Sequence, residues 1–341
     1  MTIMNKNSFD FLRFFFAYIV VICHIADLSQ DQNFARYRNY IDSYVALTGF
    51  FIISGFLIGK SYNASKSVLN YFEKRARRLL PGYFASIILA AMLLSFFSSY
   101  TFIQYFTDIQ VFKYLFWNSI FLNFVQPCLP GLFVTNRECA VNGALWTIKV
   151  EVLFYALVPV IYNYLNKIEK KYFVLIPVYI LSVIYKTYLG NSDSEMLVLL
   201  SRQTPGFLSY FVCGFSFYYY YDFYIQHKGK LFLIALPIFL IEYHFGIELL
   251  RPISQSIIVF FIAYSLPKFN NFGKYGDFSY GTYIFHFSLI QLFVQYGLFD
   301  LYNPFLMAGL VILLVGAMAI FSWNFVEKPF LIRKPKPMNA W

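Results

Sequence analysis

The sequence predicts an all-α, polytopic membrane protein with about ten transmembrane helices and a short interfacial or re-entrant helix on the outer side. Of the 341 residues, 59% are hydrophobic and only 13% are charged, a composition too apolar for a soluble domain. The apolar residues form repeated runs that are long enough to cross a bilayer as helices. No cleavable signal peptide is evident at the start, so we expect the first helix to stay in the protein. We also expect one transmembrane domain over 1–341 and no separate soluble domain.

Ten apolar runs define the expected spans. They cover about 9–28, 43–59, 79–98, 145–165, 172–189, 205–223, 231–246, 250–266, 279–297 and 304–325. A further apolar run at about 110–125 is short, and a span there would place the basic clusters that follow it on the outside. We therefore interpret this run as the outer interfacial or re-entrant helix.

The basic residues orient these spans, because cytoplasmic loops of membrane proteins are rich in lysine and arginine. The strongest cluster lies at 60–78 and a second at 227–230, so both are expected to be cytoplasmic loops, with both termini on the same side. We interpret the net charge of +10 as this topology signal rather than as a nucleic-acid surface. Eight of the 27 basic residues fall elsewhere: Arg36, Arg38, Lys113, Arg137, Lys149, Lys186, Arg202 and Arg251.

The first predicted helix carries two ionisable residues, Arg13 and His24. Eleven residues of helix make about three turns and rise roughly 16 Å, so the two side chains share one face. Ionisable groups within hydrocarbon usually face a bundle interior or a wet cavity, and they mark function. The alternative is that Arg13 anchors the helix at the membrane border and that His24 is a packed polar residue.

Two further segments carry candidate binding groups. Ser54 precedes a glycine in the second helix, a pair that permits either close helix packing or contact with a ligand. Arg75 and Arg78 share a face at the expected cytoplasmic start of the third helix, with Pro81 in its first turn, and two guanidiniums there suit a phosphate. The alternative is that these arginines, with Arg77, only mark the cytoplasmic side.

A carboxylate and a second histidine lie within later apolar runs. Glu151 lies inside the fourth helix, where it requires a partner such as a histidine or arginine from another helix. The alternative is a structural ion pair, with nearby Lys149 as one candidate. His286 lies two turns into the ninth helix, and a single histidine in such a helix is more often structural than catalytic.

Two of the four cysteines, Cys128 and Cys139, lie in the loop at 126–143, which is external on this topology. In an oxidising compartment a disulfide between them would stabilise the loop by about 2–4 kcal/mol, and two unpaired thiols are the alternative. The chain contains no GxSxG elbow, no metal-ligand spacing, no P-loop and no dinucleotide fingerprint. These observations argue against a serine hydrolase, a metalloenzyme and a nucleotide-binding protein.

Taken in order, segments along nearly the whole chain resemble the motifs of the membrane-bound family-3 acyltransferases. These are polytopic bacterial proteins that O-acylate surface polysaccharides and related glycans. The matching segments are 9–13 with His24, 50–58, 75–81, 146–159, 279–286 and 326–330. Two positions depart from the pattern: Val152 stands where many members carry a second carboxylate, and Lys149 stands where a small or polar residue is usual.

The resemblance implies transfer of an acetyl or similar short acyl group from cytoplasmic acyl-CoA to a hydroxyl of a cell-surface or lipid-linked glycan. Acetyl-CoA is the expected donor, the bacterial inner (cytoplasmic) membrane is the expected location, and neither a metal nor a nucleic acid is expected. The alternative is a polytopic transporter or flippase for an anionic or glycan solute, in which the same charges bind the solute or relay protons.

For this reaction we expect the following roles for the candidate residues. His24 is expected to act as general base on the attacking hydroxyl, and a covalent acyl-histidine remains open. Glu151 is expected to orient His24 or to stabilise its protonated form. Arg13 is expected to hold the donor or to stabilise charge on the thioester oxygen. The candidates for binding acyl-CoA are Arg75, Arg78, Arg77, Ser54 and His286.

Overall fold

The computed structural model of the protein describes residues 6–37 and 40–331. Arg38 and the basic run at 333–336, both used in the topology prediction, lie outside the described residues. The described part of the chain consists of helices and connecting loops, without a β-strand. The predicted all-α class is therefore confirmed.

Ten helices of 15 residues or more occur in the described part of the chain, one for each predicted span. We number them in chain order: α1 (Phe9–Ser29), α2 (Ser43–Asn63), α3 (Val68–Leu93), α4 (Trp146–Leu165), α5 (Tyr172–Gly190), α6 (Thr204–Tyr219), α7 (Tyr221–Phe245), α8 (Arg251–Ser265), α9 (Ser279–Gln295) and α10 (Pro304–Ser322). Shorter helices include Phe102–Thr107 and Ile109–Ser119, the second of which corresponds to the short apolar run predicted at 110–125.

Seven of the described helical segments are long and apolar enough to cross a membrane. The segments Arg251–Ser265 and Pro267–Tyr275 would add an eighth if they form one span, and they are bent by 75° relative to each other. The other two helices of the ten, α6 and α9, have 16 and 17 residues. The chain is thus a multi-pass membrane protein, and the count of ten spans stays a prediction.

Two basic segments that were expected to be loops are largely helical. The expected ends of the adjoining helices are therefore corrected. Helix α2 continues to Asn63 and α3 begins at Val68, so most of the basic cluster at 60–78 lies on helices and Pro81 lies inside α3. The basic residues at 227–230 likewise lie within α7. The prediction was wrong because hydropathy marks the hydrocarbon border, whereas lysine and arginine are good helix formers that extend a helix beyond it.

The chain divides into two compact units. The first contains Met1–Val20, Ile41–Val68 and Thr147–Tyr275, and the second contains Val21–Tyr40, Leu69–Trp146 and Gly276–Trp341, so that α1 contributes to both. The single domain over 1–341 stays a prediction.

Close backbone contact joins two helices of the first unit. A Cβ atom added to Gly55 on α2 would overlap the carbonyl oxygen of Phe211 on α6, and one added to Gly214 on α6 would overlap the carbonyl oxygen of Ile52. Each glycine thus allows one helix to approach the backbone of the other. The packing interpretation of the Ser-Gly pair in α2 is confirmed.

Candidate functional site

Two histidines from different helices meet in the second unit. His24 lies on α1 and His286 on α9, and the Nδ1 atom of His24 is 2.7 Å from the Nε2 atom of His286. The ring centroids are 5.0 Å apart and the ring planes are inclined by only 10°. His286 is completely buried, whereas His24 is partly exposed. The pair therefore consists of the partly exposed imidazole of His24 and the completely buried imidazole of His286.

A backbone carbonyl determines which nitrogens of this pair carry protons. The Nδ1 atom of His286 is 2.7 Å from the carbonyl oxygen of Tyr283. Because a carbonyl oxygen only accepts, His286 donates from Nδ1, and in the neutral ring its Nε2 atom is then an acceptor. His24 consequently donates from Nδ1 to His286. This assignment leaves the lone pair on Nε2 of His24 available to take up a proton.

The loop that contains Cys128 and Cys139 is hydrogen-bonded to α9, the helix that carries His286. Cys128 and Cys139 form a disulfide with their Cα atoms 5.3 Å apart, which confirms the predicted bridge. Gln291 on α9 donates to the carbonyl oxygens of Glu138 at 2.7 Å and Ala140 at 2.9 Å. On either side of His286, Asn142 donates to the carbonyl oxygen of Ile284 and Ser288 donates to that of Val141, each at 2.7 Å. These contacts hold α9 against the loop around the buried histidine.

Arg78 lies in a separate ionic cluster of the second unit. Its guanidinium pairs with Asp277 and, at 3.4 Å, with Glu327, which is only 1% exposed. Asp277 also accepts a hydrogen bond from the hydroxyl of Ser279 at 2.5 Å, at the first turn of α9, and Ser322 donates to Glu327 at 2.9 Å. The guanidinium is thus balanced by two carboxylates that are themselves hydrogen-bonded, an arrangement typical of a structural ion network.

The other arginines of this segment are placed differently. Arg77 forms an exposed ion pair with Glu73 at 2.8 Å, one helical turn away, and donates to the carbonyl oxygen of Phe330 at 3.3 Å. Arg75 lies three residues before Arg78 on α3, so the two share a helix face as predicted. A role for any of the three in binding acyl-CoA stays a prediction.

Glu151 lies in the first unit with two hydroxyl groups. Tyr155, one turn further along α4, donates to Glu151 Oε1 at 2.6 Å, and the hydroxyl of Ser54 on α2 lies 3.5 Å from the same oxygen. Ser54 therefore contacts a predicted site residue as well as lying beside the packing glycine.

Arg13 lies on α1, which is unbroken from Phe9 to Ser29, so Arg13 and His24 occupy one continuous helix as predicted. The catalytic roles of Glu151 and Arg13 stay predictions.

Sequence reasoning missed two of these associations. It treated His286 as a single histidine and did not pair it with His24, and it assigned no role to Asp277. A signal was available, because only two of the four histidines lie well inside predicted spans and away from the basic segments. Buried polar groups require partners, so these two were candidates for each other.

Comparison with known proteins relates the chain to one family. A family model described as an acyltransferase domain matches residues 6–323. A protein of Shigella phage Sf6 named O-acetyl transferase is 27% identical over 345 residues, which cover 98% of this chain and 99% of that protein. Nodulation protein 10 of Rhizobium leguminosarum bv. viciae is 23% identical over 351 residues, which cover 95% of this chain and 93% of that protein. No solved structure gives a significant match.

Proposed function

We propose a specific reaction for this chain, which belongs to the family-3 acyltransferases and is an acyltransferase. The chain moves an acetyl or similar short acyl group from cytoplasmic acyl-CoA to a hydroxyl of a cell-surface glycan. The name of the relative from Shigella phage Sf6, which is similar along its whole length, supports acetyl transfer to oxygen. Membership of the family favours this reaction over the transporter or flippase alternative.

The hydrogen-bonded series of the Tyr283 carbonyl, His286 and His24 is the observation that carries the proposal. In the reaction, the glycan hydroxyl attacks the carbonyl carbon of the thioester while Nε2 of His24 accepts the hydroxyl proton. The new C–O bond forms, the C–S bond breaks, and the CoA thiolate that leaves takes the proton from His24. His286 acts as a positioning residue, because it holds the Nδ1–H tautomer of His24 and accepts a hydrogen bond from the imidazolium.

The remaining residues have proposed roles in the same reaction. Arg13 stabilises charge on the thioester oxygen, and Glu151 stabilises the protonated form of His24 or its orientation. Arg75, with Arg77, binds phosphate groups of CoA, for which guanidinium groups are suited. Arg78, whose charge is balanced by Asp277 and Glu327, is assigned to holding the segment in place.

The proposed location is the inner membrane of a bacterium, with both termini in the cytoplasm. The concentration of lysine and arginine at one side of the predicted spans supports this orientation. It would present the arginines of α3 to the cytoplasmic acyl-CoA. The acceptor hydroxyl would then be reached from the outer face.

The test compares host surface glycan from wild-type cells, a deletion, and His24→Ala cells at matched expression, with base-labile ester groups scored by mass. His227→Ala is the matched control, since it removes a histidine that lies on α7 outside the pair. We expect the ester in wild type and His227→Ala, and none in the deletion. His24→Ala should lower the transfer rate by about a hundredfold to ten-thousandfold, the usual contribution of a general base.

Two outcomes would contradict the proposal. An ester that is lost in the deletion but kept in His24→Ala would remove His24 from the chemistry. Membranes containing the wild-type chain that leave the glycan and labelled acetyl-CoA unchanged would argue against acyl transfer from CoA.

The role of His286 has its own test. In His286→Gln the side-chain carbonyl can accept the hydrogen bond from Nδ1 of His24, whereas in His286→Leu no acceptor remains. We expect the acetylation rate constant kcat to fall in the order wild type, His286→Gln, His286→Leu, with little change in the KM for acetyl-CoA. Equal rates in the two variants, at equal thermal stability, would show that His286 only fills space.

A further inference from the structure

Two basic residues of the first unit, Lys186 and Arg251, contact the ring of Tyr44. Both lie outside the basic clusters that the predicted topology places in the cytoplasm. The Nζ atom of Lys186, near the end of α5, lies 5.0 Å from the centroid of the Tyr44 ring, at the start of α2. The Cζ atom of Arg251, at the start of α8, lies 5.7 Å from the same centroid. A third basic residue, Arg202, adds to the positive potential at Lys186. On the predicted topology all these helix ends are on the outer face.

The ammonium group of Lys186 lies against aromatic rings, and the carboxylate of Glu248 attracts it without forming an ion pair. It is 4.8 Å from the centroid of Phe207 in addition to its contact with Tyr44. It makes no ion pair and donates no hydrogen bond to any residue in 6–37 or 40–331. Because neither the rings nor Glu248 accepts a hydrogen bond from this half-buried ammonium, its three donors are available to a ligand.

Arg251 is more deeply enclosed, being 7% exposed, and is only partly paired. Its Nη1 atom lies 3.3 Å from Glu248, and its guanidinium lies over the ring of Tyr243. Its Nε atom is buried and has no hydrogen-bond partner in the described part of the chain. A charge-bearing N–H group in that state costs free energy unless a ligand or water completes its hydrogen bond.

The nearby carboxylates do not cancel these cations. Both oxygens of Glu242 accept hydrogen bonds from the backbone N–H of Leu250, at 2.9 and 2.8 Å. Asp42 caps α2 by accepting from the backbone N–H of Tyr44 at 2.7 Å. Glu248 is then the carboxylate that pairs with a cation here, so an excess of positive charge remains.

Two buried hydroxyl groups complete the surroundings. The hydroxyls of Tyr44 and Tyr210 are buried close to each other, and that of Tyr44 also lies close to Glu248. These neighbours are the hydrogen-bonding groups nearest to the two hydroxyls. Tyr210 is fully enclosed, and hydroxyl groups in that position usually have a partner. The Nε atom of Arg251 and the ammonium of Lys186 are the donors that remain to bind an oxygen anion.

We propose that Lys186 and Arg251, which both contact the ring of Tyr44, form a binding site for an anionic group, a phosphate or carboxylate, carried by the glycan acceptor. This assignment rests on the proposed acyl transfer to a glycan. The enclosure of Arg251 favours a small anionic group that enters the unit over a phospholipid headgroup at its perimeter. The site would give the enzyme a preference for acceptors that carry a negative charge.

The test measures binding by calorimetry on the full chain in a neutral detergent, with glucose 1-phosphate as the probe and glucose as the uncharged control. We expect saturable binding of glucose 1-phosphate alone. Lys186→Gln should weaken it about tenfold or more, as expected for loss of one charge-assisted hydrogen bond. Lys186→Arg should retain it. Lys113→Gln, which removes an exposed lysine of the second unit, should leave it unchanged.

Three results would overturn the assignment. These are no saturable binding of glucose 1-phosphate, binding that Lys186→Gln does not weaken, and displacement of the probe by phosphatidylglycerol added to the micelles, which would make the site a headgroup site. Because binding is measured without acyl transfer, it is independent of the His24→Ala experiment. Failure of the proposed function and failure of this site can therefore be told apart.

Discussion

Charged side chains in the two compact units, Arg78 in the second and Lys186 in the first, have different surroundings. In the second unit, His24 is hydrogen-bonded to His286, and Arg78 is balanced by Asp277 and Glu327. In the first unit, the ammonium of Lys186 has aromatic neighbours and no carboxylate within ion-pair distance among the described residues. The first unit instead holds α2 and α6 together through glycines at a close backbone contact. Arg78 is therefore part of an ionic network, whereas the ammonium of Lys186 keeps its donors for a ligand.

A charged residue in a membrane helix can stabilise the fold or bind a ligand, and this difference distinguishes the two roles. A charge whose partners are present is part of the fold, and removing it leaves those partners buried without compensation. A charge without such partners contributes little to the fold, and its removal should mainly change binding. Stability measurements can separate the two cases, because the expected changes in the free energy of unfolding differ by several-fold.

The largest expected effect on stability is that of Arg78→Gln. It removes the guanidinium that pairs with Asp277 and the buried Glu327, and breaking a buried pair in this way costs about 3–5 kcal/mol. Thermal unfolding in detergent should show a large decrease in the melting temperature. Combining the change with Asp277→Asn and Glu327→Gln should recover much of it. Arg77→Gln, which breaks only the exposed pair with Glu73, should change stability by no more than about 1 kcal/mol.

The next effect is expected in the first unit and involves no charge. Gly214→Ala places a methyl group against the carbonyl oxygen of Ile52 and should destabilise the protein by about 1–3 kcal/mol, because α2 and α6 must separate. Gly229→Ala on α7 is the matched control, since apart from its own chain neighbours and helix backbone no atom of the described residues lies within 4 Å of the added methyl group. Alanine is the better helix former, so that variant should be neutral or more stable. Equal melting temperatures for the two variants would disprove the close contact.

The smallest expected effect on stability is that of Lys186→Gln. Loss of its contacts with the rings of Tyr44 and Phe207 should cost no more than about 1 kcal/mol. The same variant should weaken binding of the anionic probe about tenfold, so stability and binding should respond very differently. A decrease in stability as large as that of Arg78→Gln would make Lys186 part of the fold and would remove the contrast between the units.

Much of the fold could be predicted from the sequence, because it follows from local patterns. Apolar runs predicted each of the ten longer helices, and the spacing of Arg13 and His24 predicted their shared helix. The ends of helices were predicted less well. Lysine and arginine after Lys60 extend the helices into what hydropathy indicates to be a loop, since helix formation depends on backbone hydrogen bonds and propensity.

The sequence by itself determined the class of the protein, its resemblance to the acyltransferases and the identity of His24 as the candidate base. Only the tertiary structure decided which groups meet: His286 with His24, Asp277 and Glu327 with Arg78, and Tyr44 with both Lys186 and Arg251. The physical reason is that composition and helical period act over a few residues of chain. Partners in a hydrogen bond or an ion pair lie up to 262 residues apart, and only helix packing brings them together.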